Sequence, residues 1–171
     1  MSKTAIVCLV IAFLLAVGIW QWHRYASGRT LTSDADLIKI FHEHRSTLER
    51  LHRMAVEDNL DGLIGHQFVD DKNLTQQRIN EYRNLMRRGH VEVFVAYWTP
   101  PWARVSFWVD WQSSAIGGRL KGIAYYPEQP LTTVLPSLEE SCLPAVGPDA
   151  ESCSVVRQIE GNWWLVREED R

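Results

Sequence analysis

Cysteine, surplus positive charge and recognisable catalytic motifs are all scarce in this sequence. Its 171 residues include three cysteines and carry a formal net charge of −3. Without a cationic surplus there is little to neutralise phosphate, which sets aside the basic nucleic-acid binders. A hydrophobic share of 46% against 23% charged residues excludes a disordered chain. There is no HExxH, G-x-S-x-G, P-loop or dinucleotide fingerprint, and Gly117-Gly118 reads only as a turn. Acidic residues are missing altogether from residues 1–29, which hold Lys3, Arg24 and Arg29, while the other 15 bases and all 21 acids lie beyond them. The average of −3 is therefore +3 on a leader and −6 on the remainder, two parts suited to different surroundings.

What the leader does have is one long apolar run. Ala5 to Trp20 is apolar throughout, and with Gln21 and Trp22 the stretch 5–22 reaches about 27 Å as a helix, just enough to span a bilayer. Trp20, Trp22 and Tyr25, with Arg24, suit the headgroup level. The expectation is a cytoplasmic tail over 1–4, a transmembrane anchor over 5–22 and a linker over 23–32, followed by a periplasmic domain over 33–171. A cleaved signal peptide with Ala16-Val17-Gly18 at its cleavage site is the rival reading, and both export the rest of the chain. Cys8 lies deep in the run and reads as a small apolar filler. The other two, Cys142 and Cys153, flank a Pro/Gly-rich loop. A disulfide between them is expected, and such bridges persist in oxidising compartments.

In the exported part, Ser33 can cap a helix whose apolar residues Leu37, Phe41, Leu48, Leu51 and Ala55 recur at helical spacing once His44 is placed in the seam. A second helix follows Thr75, with Ile79, Tyr82, Leu85 and Met86 on one side, and Gly89 stops it. The period then changes to two. Strands are expected at 90–98, 103–112, 119–126, 154–160 and 163–167, the last two joined at Gly161-Asn162. The segment 127–151 carries five prolines and reads as an irregular loop. The predicted fold is α+β: a transmembrane helix, then two amphipathic helices packed on an antiparallel sheet of about five strands.

Candidate functional residues come from the first hairpin. Pairing Val91, Val93, Val95 and Tyr97 with Val105, Phe107, Val109 and Trp111 gives one apolar face for the helices. The other face then carries Glu92, Phe94, Ala96 and Trp98 with Arg104, Ser106, Trp108 and Asp110. Phe94, Trp98, Trp102, Arg104, Trp108 and Asp110 are the candidate binding residues, since aromatic anchors and Arg dominate interface energetics. A plain cross-strand aromatic ladder is the alternative. The histidines show no metal-ligand pattern: His42 and His44 lie two apart and point to different sides of a helix, and His44 is expected as a hydrogen-bonded core residue. No metal, cofactor or catalytic residue is assigned.

The stretches FHEHRSTLERLHRMAVED (41–58), LTQQRINEYRNLMRRG (74–89), RLKGIAYYPEQP (119–130) and VVRQIEGNWWLVRE (155–168) resemble those of a set of small exported or membrane-anchored bacterial envelope proteins. The resemblance implies a bacterial envelope protein, nothing sharper, and transfers no catalytic residue; taken with the anchor read from the leader, the expected location is the bacterial inner membrane, single-pass, with the C-terminal domain in the periplasm. Three functions are weighed: a protein-binding accessory or immunity-type factor; a small-ligand or glycan binder stacking its ligand on Trp98, Trp102 and Trp108; and an envelope hydrolase using the acidic residues, with Asp110 the position to test. The expected partners are the membrane and an unidentified protein, with no nucleic acid.

Overall fold

The structure, a computed structural model, describes residues 31–70, 73–97, 104–114, 117–147 and 150–170. The chain divides into two units, Met1–Thr30 and Leu31–Arg171, and the described residues belong to the second. The expected tail 1–4, the membrane span 5–22 with Trp20, Trp22 and Tyr25, and nearly all of the linker 23–32 lie outside the described residues. Among the described residues, no helix is long and apolar enough to cross a membrane.

Helix α1 (Asp34–Glu57) begins where its sequence signal says it should. The Ser33 hydroxyl accepts the Asp36 amide at 3.1 Å, and Asp34 and Asp36 occupy the first turn, where the helix dipole favours negative charge. Leu37, Phe41, Leu48, Leu51, Met54 and Ala55 form its buried stripe. The gap between Phe41 and Leu48 coincides with a kink: His44 leaves helical geometry at φ −116°, ψ 15°. After strand β1 (Gly62–Gly65) comes helix α2 (Gln76–Arg88), capped by the Thr75 hydroxyl, which accepts the Arg78 amide at 3.2 Å. Arg78 and Tyr82 both donate to the Asp58 carboxylate, at 2.7 and 2.8 Å, and so pin α2 to the end of α1.

The remaining strands are β2 (Val93–Tyr97), β3 (Arg104–Ser114), β4 (Gly117–Tyr125), β5 (Thr133–Val134), β6 (Ser152–Glu160) and β7 (Trp163–Asp170). A one-turn helix, α3 (Leu143–Val146), precedes β6. The sheet has seven strands in the order β1-β2-β3-β4-β7-β6-β5, not about five, and it is mixed, because β5 lies parallel to β6. The two strands missing from the expectation are the four-residue GLIG of β1 and the two-residue β5, both too short to show a period.

The expected register of the first hairpin is also corrected. Phe94 pairs with Phe107 and Ala96 with Val105, and these four face the helices; Val93, Val95 and Tyr97 pair with Trp108, Ser106 and Arg104 on the opposite face. Strand β2 reads VFVAY, apolar at both parities, so alternation alone could not choose its inward face. The sheet buries both faces. On the helix side the rings of Tyr82, Phe94, Phe107, Trp163 and Phe41 form a chain with successive centroids 5.2 to 5.6 Å apart. On the other side Val93, Val95, Trp108, Ala124, Tyr126, Val156, Trp164 and Val166 make a second apolar layer, drawn among the described residues from the strands and from Tyr126 just past β4.

Two local devices shape that second layer. A bulge between Trp108 and Asp110 bends β3, and beside it a Cβ on Gly122 would stand 2.3 Å from the Phe107 carbonyl oxygen, so only glycine fits there. Arg104 starts β3 level with Tyr126, whereas Glu168 on β7 pairs with Leu120, six residues back along β4. In a flat sheet that offset is about 20 Å, beyond the combined reach of the two side chains. Their contact at 2.5 Å therefore requires the sheet to coil strongly toward this face, which becomes its inner surface.

Candidate functional site

The coiled face carries a polar centre in an apolar and aromatic setting. Arg104 meets Glu168 at 2.5 Å, donates to the Tyr126 hydroxyl at 3.2 Å and stands over the Trp108 ring at 5.8 Å. Burial disfavours the Arg104 charge, but Glu168 and Tyr126 more than offset it and hold its pKa above the ordinary value. Burial pushes the Tyr126 phenol up, and Arg104 opposes this only in part. Two buried polar atoms are left over: Arg104 Nε and Ser106 Oγ have no hydrogen-bond partner among the described residues. An unmatched buried donor costs about 1–3 kcal/mol, so a hydrogen-bond partner that reached these atoms would gain by that amount. Tyr97, directly across from Arg104, is 37% exposed, so solvent reaches this face beside the buried centre.

Of the predicted binding residues, Arg104 and Trp108 are brought together here. Phe94 belongs to the helix-side core between Tyr82 and Phe107 and shares no surface with Trp108. Asp110 is turned away by the bulge. It pairs opposite Lys121 and accepts the Thr32 amide at 2.5 Å on the helix side. Trp98 and Trp102, in the six residues that join Tyr97 to Arg104, lie outside the described residues. Tyr126, Trp164 and Glu168 complete the inner face and were not foreseen. Their signal was parity: each stands on the Gly122 and Ala124 side of the β4–β7 pair.

A second polar centre lies at the start of α1, and its role is cohesion. Lys121 is fully buried in β4, with Nζ 2.9 Å from Asp34 Oδ1 and 3.6 Å from Glu139. The approach to Asp34 is off hydrogen-bond alignment, so its attraction is Coulombic. Asp34 Oδ2 accepts from Arg157 at 2.8 Å and from the Leu138 amide at 2.9 Å. Burial alone would raise the Asp34 pKa, yet the Leu138 amide, Lys121 and Arg157 together hold it below the usual value. Glu169 behaves likewise: burial raises it, and Ser141, Arg167 and the Cys142 amide outweigh that. Acids held ionised by several donors are poor proton carriers.

The cysteines are bonded as expected. Cys142 and Cys153 form a disulfide with Cα atoms 5.9 Å apart. Their sulfurs and the Glu169 carboxylate lie within 4.8 Å of one another, a cluster of metal-ligating types. The disulfide ties up both sulfurs, so this cluster offers no thiolate ligand. The bridge instead fixes the loop whose Leu138 amide and carbonyl engage Asp34 and Arg167. Compared with protein-family models, curated proteins and solved structures, the chain finds no match.

Proposed function

We propose that the chain is a binding protein of the bacterial envelope, exported on its apolar leader, and that the Arg104 end of the coiled sheet takes a small ligand, such as a sugar, that offers an apolar face for stacking and a hydrogen-bond acceptor. The observation that carries this reading is the pair of buried, unmatched polar atoms, Arg104 Nε and Ser106 Oγ, on an aromatic inner face. Ligand sites have this composition: mostly apolar walls with a few placed polar groups. The Cys142–Cys153 bridge supports an oxidising compartment. Cell-wall fragments are the ligands to try first, given an envelope location and a rim that includes Tyr97.

The test exploits the idle hydroxyl. Because Ser106 Oγ has no partner among the described residues, Ser106→Ala is expected to melt at or above the wild-type temperature. Tryptophan fluorescence titrated with cell-wall fragments should show a saturable change in the wild type and about fivefold weaker binding in the variant, the loss of one hydrogen bond of about 1 kcal/mol. No saturable change with any fragment would reject the reading, as would binding that Ser106→Ala leaves intact.

The accessory or immunity-type reading is favoured by a different observation, the half-exposed rings of Tyr97 and Trp111 at 37% and 40% exposure on this same face. It requires a protein partner that crosslinks from positions 97 and 111 and not from Arg50, on the exposed side of α1.

A further inference from the structure

Two histidines far apart in sequence meet at two departures from regular backbone. His44 sits at the kink of α1, and His90 follows α2 with φ +55°, one of two non-glycine residues with positive φ among those described. The α2 terminus closes with the Val91 amide on the Met86 carbonyl at 2.9 Å and the left-handed position just past the cap, where glycine is usual. Here Gly89 is the cap residue at φ −92° and the left-handed position falls to His90. Sparsely populated backbone that collects at one spot invites a functional explanation.

The two rings face one another with centroids 5.0 Å apart and planes inclined by 46°. That inclination is wrong for a parallel stack. The separation is that of two ligands of one ion: with metal–nitrogen bonds of about 2.0–2.1 Å and tetrahedral angles, two imidazole centroids stand about 5 Å apart. Among the described residues, neither imidazole has a hydrogen bond or an ion pair, so both rings retain free nitrogens. His90 is exposed and His44 half-buried, so water can reach the site and complete the coordination. The expected hydrogen-bonded core role of His44 is thereby replaced.

We propose that His44 and His90 form a two-histidine site for a divalent transition-metal ion of the kind that prefers imidazole, copper(II) ahead of nickel(II) and zinc(II). An ion held there cross-links the kink of α1 to the end of α2.

Untagged full-length protein in mild detergent, titrated with copper(II) and zinc(II) by calorimetry, tests this. One-to-one binding is expected, with copper(II) the tighter, and the copper(II) resonance spectrum should show nitrogen coupling. Loss of an outer-sphere partner already costs 10- to 100-fold, so His44→Gln and His90→Asn should each weaken binding by about tenfold or more. Asparagine tolerates the left-handed backbone, so His90→Asn removes the ligand while keeping the turn. His66→Gln is the control and should bind as wild type. Absence of saturable binding, affinity unchanged in both variants, or an equal loss in His66→Gln would overturn the site. If His90→Asn fails to fold, His44→Gln decides alone.

Discussion

Lys121→Met is expected to lower the unfolding free energy in urea by about 3–5 kcal/mol, the largest effect predicted for a single substitution in this domain. The amine is fully buried, and its removal leaves Asp34 and Glu139 facing a hydrophobic side chain. Asp34→Asn should cost a similar amount, because Asp34 also anchors Arg157 and the Leu138 amide. The two variants should not add: residues sharing one network couple by about 0.5–3 kcal/mol, so the double variant falls short of the sum. Acid sharpens the test. Asp34 and Glu169 both have folded pKa values below their ordinary 3.8 and 4.5. The unfolded chain therefore binds the extra protons, and the stability these acids contribute is full above about pH 4.5 and lost as pH falls through the folded values. Asp34→Asn should accordingly show a shallower loss below about pH 4.5 than the wild type. An equally steep loss would mean that Asp34 is not held by its donors.

The second large effect belongs to the bridge. Replacing Cys142 and Cys153 together with alanine frees a loop closed across a sequence separation of 11 residues. Loop-closure entropy puts the loss at about 3 kcal/mol. That corresponds to a melting temperature lower by roughly 10 °C for a domain of this size. The loss reaches beyond the bridge, since Ser141 and the Cys142 amide both donate to the buried Glu169 carboxylate, at 2.6 and 2.9 Å. Hydrogen exchange at Leu138 should therefore quicken in the same variant. An unchanged melting temperature would show that the loop is held without its disulfide.

What was legible in the sequence was whatever is local. Ser33 and Thr75 mark their helices through hydrogen bonds to amides three residues on, and the turn at Gly161-Asn162 joins the two strands expected there. The disulfide was legible because two cysteines flank one short loop. The register of β2 against β3 was not, because VFVAY offers the same apolar surface at either parity and the sheet buries both. Asp110 was assigned to the wrong face since a bulge of one residue reverses every side chain after it. The Arg104–Glu168 pair depends on the coiling of the whole sheet, and the His44–His90 pair on a kink and a left-handed turn; no window of sequence contains either. Lys121 did leave a trace, a charge at the helix-facing parity of LKGIAYY, and the distant Asp34 and Glu139 explain why it is tolerated.

An exported domain stapled by its disulfide is the central claim, and the most direct measurement of it is the thiol state of the native protein in living cells. Free thiols are alkylated during an acid quench, disulfides are then reduced and labelled with a second reagent, and peptides are mapped by mass. The expected result is that Cys142 and Cys153 carry only the second label, whatever the state of Cys8. Cys142 and Cys153 both carrying the first label would contradict the claim, because a domain that keeps these thiols reduced in the cell has not reached an oxidising compartment.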